Sequence, residues 1–213
     1  MYRKTSNRII LLLPVFGAVV FVVLYFVAAF LYPGGSQADK NSAGFSWINN
    51  YWCNLLNDRA VNGQLNPAKP VALWAMVILS ATLSSFWFSF PRYSGVHKRI
   101  AQAIRISGVL AMAIALFLFT KLDHDLVINL ASFCGVVATA GTLLGLYKIR
   151  WYGLFFFGLF NLLLVGINNY FYYTQNLIVY LPVVQKISFA AFLGWICSID
   201  VCLYQRAVRA NRL

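Results

Sequence analysis

The chain has 213 residues, of which 61% are hydrophobic and 10% charged, with a mean hydropathy of +0.72 and a formal net charge of +12. So little charge on so apolar a chain excludes an ordinary soluble domain. The basic excess does not point to nucleic acid, because the lysines and arginines sit mostly at the ends of apolar runs, where they anchor helices against anionic headgroups.

Met1 to Arg8 is a basic tail, and Ile9 to Leu31 is continuously apolar. That run is too long for the core of a typical signal peptide, and it reads as a retained first span at about 9–31. Pro33-Gly34-Gly35 ends it and opens a polar outer loop over 32–70. Within the loop, Phe45, Ile48, Trp52, Leu55 and Leu56 recur at helical spacing. Asn49, Asn50, Asn54, Asn57 and Asp58 take the other side, so the pattern predicts a short interfacial amphipathic helix from Phe45 to Asp58, with Ser46 as its N-cap. Pro70 opens the second span, 71–90, as proline does at a first helical turn. Four more apolar runs follow at about 101–122, 126–147, 151–173 and 179–204. Each is long enough to cross roughly 30 Å of hydrocarbon. The expectation is an all-α polytopic transmembrane bundle of six helices, forming one integral membrane domain.

Charge sets the expected orientation. The N-terminal tail, the second-to-third and fourth-to-fifth connections and the C-terminal tail hold twelve of the seventeen basic residues, counting Arg105. The other side holds Lys40, Arg59, Lys69, Lys121 and Lys186. The positive-inside rule then puts both termini in the cytoplasm and the 32–70 loop outside, in a cytoplasmic (inner) membrane.

Few polar groups lie inside the spans. Arg105 and Asp200 sit at equal depth, each about 9 Å from the nearest cytoplasmic basic cluster, which predicts a structural ion pair between the third and sixth spans. Asn129, Asn168 and Asn169 gather toward the outer side, where amides bond neighbouring helices or line a polar cavity. Gly141 and Gly145 form a GxxxG pattern, and Gly108, Ala111 and Ala115 form a second small face, for close packing within the bundle or for a homo-oligomer or partner membrane protein.

Chemistry is thinly marked. The cysteines Cys53, Cys134, Cys197 and Cys202 form no CxxC pair. The two histidines, His97 and His124, fall on opposite sides of the expected topology, which excludes a three-histidine zinc site or a bis-histidine haem, and no metal or cofactor is expected. Asp123-His124-Asp125 resembles an acid–base cluster, but consecutive helical residues point about 100° apart and do not converge on one ion. Asp123 and Asp125 equally suit the start of the fourth helix. Lys186 lies roughly two turns into the sixth span, as a charge partner for that cluster or for a lipid phosphate.

Tyr32-Pro33-Gly34-Gly35, the run Phe45-Ser46-Trp47-Ile48-Asn49-Asn50-Tyr51-Trp52-Cys53-Asn54-Leu55-Leu56, and Asn62-Gly63-Gln64-Leu65-Asn66-Pro67 give the chain a resemblance to the prokaryotic membrane proteins catalogued as domain of unknown function 998. The resemblance spans nearly the whole chain. It implies a six-helix bundle and brings no established activity. Three functional expectations follow from the residues themselves. The first is a non-enzymatic protein that holds a membrane lipid, small amphiphile or partner helix in an outer cavity, with Asn49, Asn50, Trp52, Asn129, Asn168, Asn169 and Lys186 as candidate ligand-binding groups. The second is an enzyme acting on a lipid headgroup, with His124 as base oriented by Asp123 or Asp125. The third is a small transporter, for which buried charges and broken helices are scarce.

Overall fold

The computed structural model describes residues 9–119 and 123–210. The basic ends of the chain and the close of the third span, residues 120–122, lie outside them, as does the His124 side chain. The protein is all-helical, and six helices are long and apolar enough to span a membrane. They are α1 (Leu13–Leu31), α2 (Lys69–Ser89), α3 (Lys98–Ala115), α4 (His124–Lys148), α5 (Tyr152–Tyr173) and α6 (Leu181–Arg209). A 3-10 turn, Ile10–Leu12, leads into α1, and another, Ile178–Tyr180, leads into α6. The second span does not end at Pro91: one further turn, Pro91–Ser94, runs on to Gly95, whose φ of 63° reverses the chain. The sixth helix continues past Tyr204 to Arg209, so part of the expected basic tail is helical.

The chain divides into two compact units, and the divisions fall inside α1, α2, α5 and α6. The first comprises Met1–Val19, Val77–Leu159 and Leu193–Leu213. Its packing uses the small faces. A Cβ on Gly141 would stand 2.4 Å from Ile104, one on Gly108 2.5 Å from the Trp87 ring, and one on Gly145 2.8 Å from Ser94. The GxxxG pattern is therefore filled by this chain's own second and third spans. Van der Waals contact at such sites drives helix association where no hydrophobic effect operates between helices. The turn from α4 to α5 is a Schellman motif: the Arg150 N–H donates to Tyr147 O, the Trp151 N–H donates to Leu146 O, and Arg150 takes φ 61° at the left-handed position.

The second unit comprises Val20–Met76 and Phe160–Phe192. It contains the whole 32–70 loop, and here the expected helix is corrected. Phe45 to Asp58 forms a single turn at Ser46–Asn50 and then a short 3-10 helix, Trp52–Leu56. The asparagines account for the difference. Asn50 Oδ1 accepts the Ser46 N–H at 2.8 Å, and its Nδ2 donates to Gly35 O at 2.9 Å. Asn54 Oδ1 accepts the Tyr51 N–H at 2.7 Å. Asn66 Nδ2 donates to the carbonyls of Asn54, Leu55 and Asn57. Amide side chains thus take backbone partners that an α-helix would have used. Asn50 and Asn54 are buried as a result, rather than lying on a polar outer face, and Asn66 is buried with them. Pro33-Gly34-Gly35 supports them from below, since φ of 142° and 83° at the two glycines allows contacts that a Cβ on Gly35, 2.3 Å from Asn62 N, would forbid.

Candidate functional site

The 32–70 loop closes over its unit through aromatic residues. Trp52 lies edge-on to Tyr25 of α1 with ring centres 4.5 Å apart, and 6.0 Å from Phe189 of α6. Trp47 packs on Phe26 at 5.0 Å and Phe45 on Tyr32 at 5.7 Å. The Tyr25 hydroxyl donates to Trp52 O, and the Tyr51 hydroxyl donates to Ile178 O. Tyr32 accepts the Val61 N–H at 2.9 Å. The tyrosine rings bury apolar area and keep their hydroxyls satisfied, which suits a layer between hydrocarbon and water.

Lys186 is the polar centre of this layer. Its Nζ donates to Asn50 O at 2.5 Å and to Pro182 O at 2.9 Å. It also lies 5.6 Å from the centre of the Phe45 ring and 5.9 Å from that of Trp52. Two carbonyls and two π faces surround the cation, and the favourable field of an aromatic face strengthens as water is excluded. An ammonium has three N–H donors. The third has no acceptor among the described residues. The Trp52 Nε1 is buried beside it without a hydrogen-bond partner. Elsewhere in the same unit Asn168 Nδ2 donates to Leu164 O and Ser188 Oγ, while its buried Oδ1 accepts nothing from the described residues. Asn49 contributes its backbone N–H to the Ser46 hydroxyl, and Asn169 is exposed with its amide on Val165 O.

Cys53 sits inside the loop. Burial pushes its thiol up from the ordinary cysteine value, against its own backbone hydrogen bond and the Lys186 charge, which pull it down. Burial likewise raises the Tyr32 phenol, opposed by the Val61 N–H. At the loop's end the Lys69 ammonium bonds Asp58 at 2.5 Å and holds that exposed carboxyl below its usual range.

The other expected residues are not gathered here. Asn129 is exposed and belongs to the first unit. Asp123 Oδ1 accepts the Leu126 N–H at 2.7 Å as the N-cap of α4, and Asp125 lies in the first turn, where a negative charge favours the helix dipole. Among the described residues no group of three histidine, cysteine or acidic side chains stands ready for a metal. The expected Arg105–Asp200 pair is corrected. Arg105 Nε donates to Phe88 O at 3.1 Å and its guanidinium lies over the Phe88 ring. Both Asp200 oxygens are fully buried and accept no hydrogen bond from the described residues. Equal depth put the two at one level, but the arginine turns to a carbonyl and a π face of its neighbour. Lys69–Asp58 is the one ion pair among the described residues.

Reading the sequence missed Tyr25, Phe45 and Phe189 as walls of the site. Phe189 carried a signal, one turn beyond Lys186 on the same helical face. Comparison with protein families, with curated proteins and with solved structures found no match.

Proposed function

We propose that this is a multi-pass protein of the bacterial cytoplasmic membrane, both termini cytoplasmic, whose folded outer loop holds the polar head of a lipid or small amphiphile. The observation that carries this reading is the buried Trp52 Nε1, which has no hydrogen-bond partner among the described residues, near the half-buried Lys186 ammonium. A buried donor without an acceptor costs roughly 1–3 kcal/mol, so an acceptor supplied by a ligand removes a standing penalty. The aromatic surround suits the apolar part of an amphiphile. Two adjacent donors suit a carboxylate, phosphate or ester head. The twelve-to-five distribution of basic residues supports the orientation.

The test is native mass spectrometry of protein released from nanodiscs, on the unchanged chain and on Trp52→Phe. Phenylalanine keeps an aromatic ring at the site but removes the indole N–H together with part of the ring, so thermal stability is measured alongside to separate lost packing from the lost donor. A defined mass at fixed stoichiometry, reduced in Trp52→Phe at unchanged thermal stability, is the expected result. Equal retention by both proteins, or no defined mass on either, overturns the reading.

A further inference from the structure

Within the first unit, an open groove of about 450 Å³ runs between the start of α5 and the last turns of α6. Trp151, just before α5, and Gly153 and Leu154 of α5 line one side, and Cys202, Gln205, Arg206 and Arg209 line it from α6. The α6 residues follow the i, i+3, i+4, i+7 spacing of one helical face. They grade along roughly 10 Å from a thiol, through an amide, to two guanidiniums. Opposite them the wall is a tryptophan and a leucine. The Schellman turn aims Trp151 at its place, and Trp195 Nε1 donates to Leu154 O at 2.7 Å, fixing the start of α5 against α6.

Among the described residues nothing compensates the charge in this groove. Neither the Arg206 nor the Arg209 side chain has a hydrogen-bond or ion-pair partner among the described residues, and no acidic residue lines the groove. Gly153 leaves its wall open, with nothing within 4 Å of where a Cβ would stand. Guanidiniums match phosphate oxygens in a planar, two-pronged geometry. A free phosphate would satisfy the arginines but leave the Trp151–Leu154–Cys202 half of the groove unfilled. An anionic phospholipid fills both halves, headgroup on the arginines and glycerol and upper acyl chain along the apolar wall.

We propose that this groove is a specific site for one anionic phospholipid, recognised through its phosphodiester by Arg206 and Arg209. The site is separate from the outer-loop site and stands or falls without it.

The experiment uses the full chain in detergent with phosphatidylglycerol, with phosphatidylcholine, or with phosphatidylglycerol plus millimolar inorganic phosphate, read by native mass spectrometry. One phosphatidylglycerol bound in preference to phosphatidylcholine is expected. The double variant Arg206→Gln/Arg209→Gln should bind it roughly thirtyfold more weakly, as expected for loss of two basic residues facing an anionic lipid. Lys98→Gln/Arg99→Gln removes as much charge from the exposed start of α3 and should bind as the parent does. Gly153→Leu keeps both arginines, adds a side chain to the groove wall, and should also lose the lipid. Equal weakening by the two double variants would reduce the effect to general attraction and overturn the site. Equal binding of phosphatidylcholine, undiminished binding by Gly153→Leu, or displacement by inorganic phosphate would overturn it as well. Trp52→Phe should leave this binding unchanged.

Discussion

Cys53 shows how burial outweighs opposing interactions in setting reactivity at a single residue. The thiolate is the nucleophile, and a thiol pushed above its ordinary value holds less thiolate at neutral pH. The folded protein should therefore react slowly at Cys53 with a water-soluble maleimide at pH 7, and faster as pH rises. Mass spectrometry of the labelled peptide checks this. Complete labelling within minutes at pH 7 would mean that the loop is open. Asp58 behaves in the opposite sense. Its folded value is depressed by Lys69, so whatever the pair contributes is present above the ordinary carboxylate range and is lost as pH falls through the lowered value. The carboxylate is exposed, so solvent screening keeps that contribution small.

Among the helices, the fit of α4 against its neighbours depends on what glycine leaves out. A methyl added at Gly141 meets Ile104 at 2.4 Å, so Gly141→Ala should destabilise by about 1–3 kcal/mol, the range for overpacking a filled interior. Gly135 lies on the same helix with open space around it, and Gly135→Ala should be nearly neutral. Thermal unfolding in one detergent compares the two; equal effects would show that the close approach at Gly141 carries no packing energy. These glycine faces were legible in the sequence because small-residue spacing is a local pattern. The Phe45–Asp58 segment was misread for a related reason. Its apolar spacing was helical, but an asparagine that faces water and one that captures a backbone N–H look the same in one dimension. Asn50 and Asn54 capture it, and the helix is replaced.

For the whole molecule, six apolar runs made the six-helix architecture readable before any contact was known. The site was less readable, because its key contact joins residues 136 apart in the chain, Asn50 and Lys186. Depth along a span can be counted from sequence, but direction around the helix cannot, and so Arg105 and Asp200 were paired when they do not meet. The proposed orientation is checked with a membrane-impermeant maleimide on intact cells. Lys40→Cys should gain label above the parent, and Arg99→Cys should gain it only after permeabilisation. The reverse pattern would invert the topology.

The Lys186–Asn50 contact also imposes an order in time. The loop is synthesised long before α6 exists, and at roughly 5–20 residues per second the ribosome needs about 7–27 s to travel from one partner to the other. Throughout that interval Phe45 and Trp52 have no lysine to gather around. Closure of the loop is therefore a late step of biogenesis. A chain truncated before the sixth span would carry an unlatched loop, recognisable to a quality-control protease by the aromatic residues it leaves uncovered.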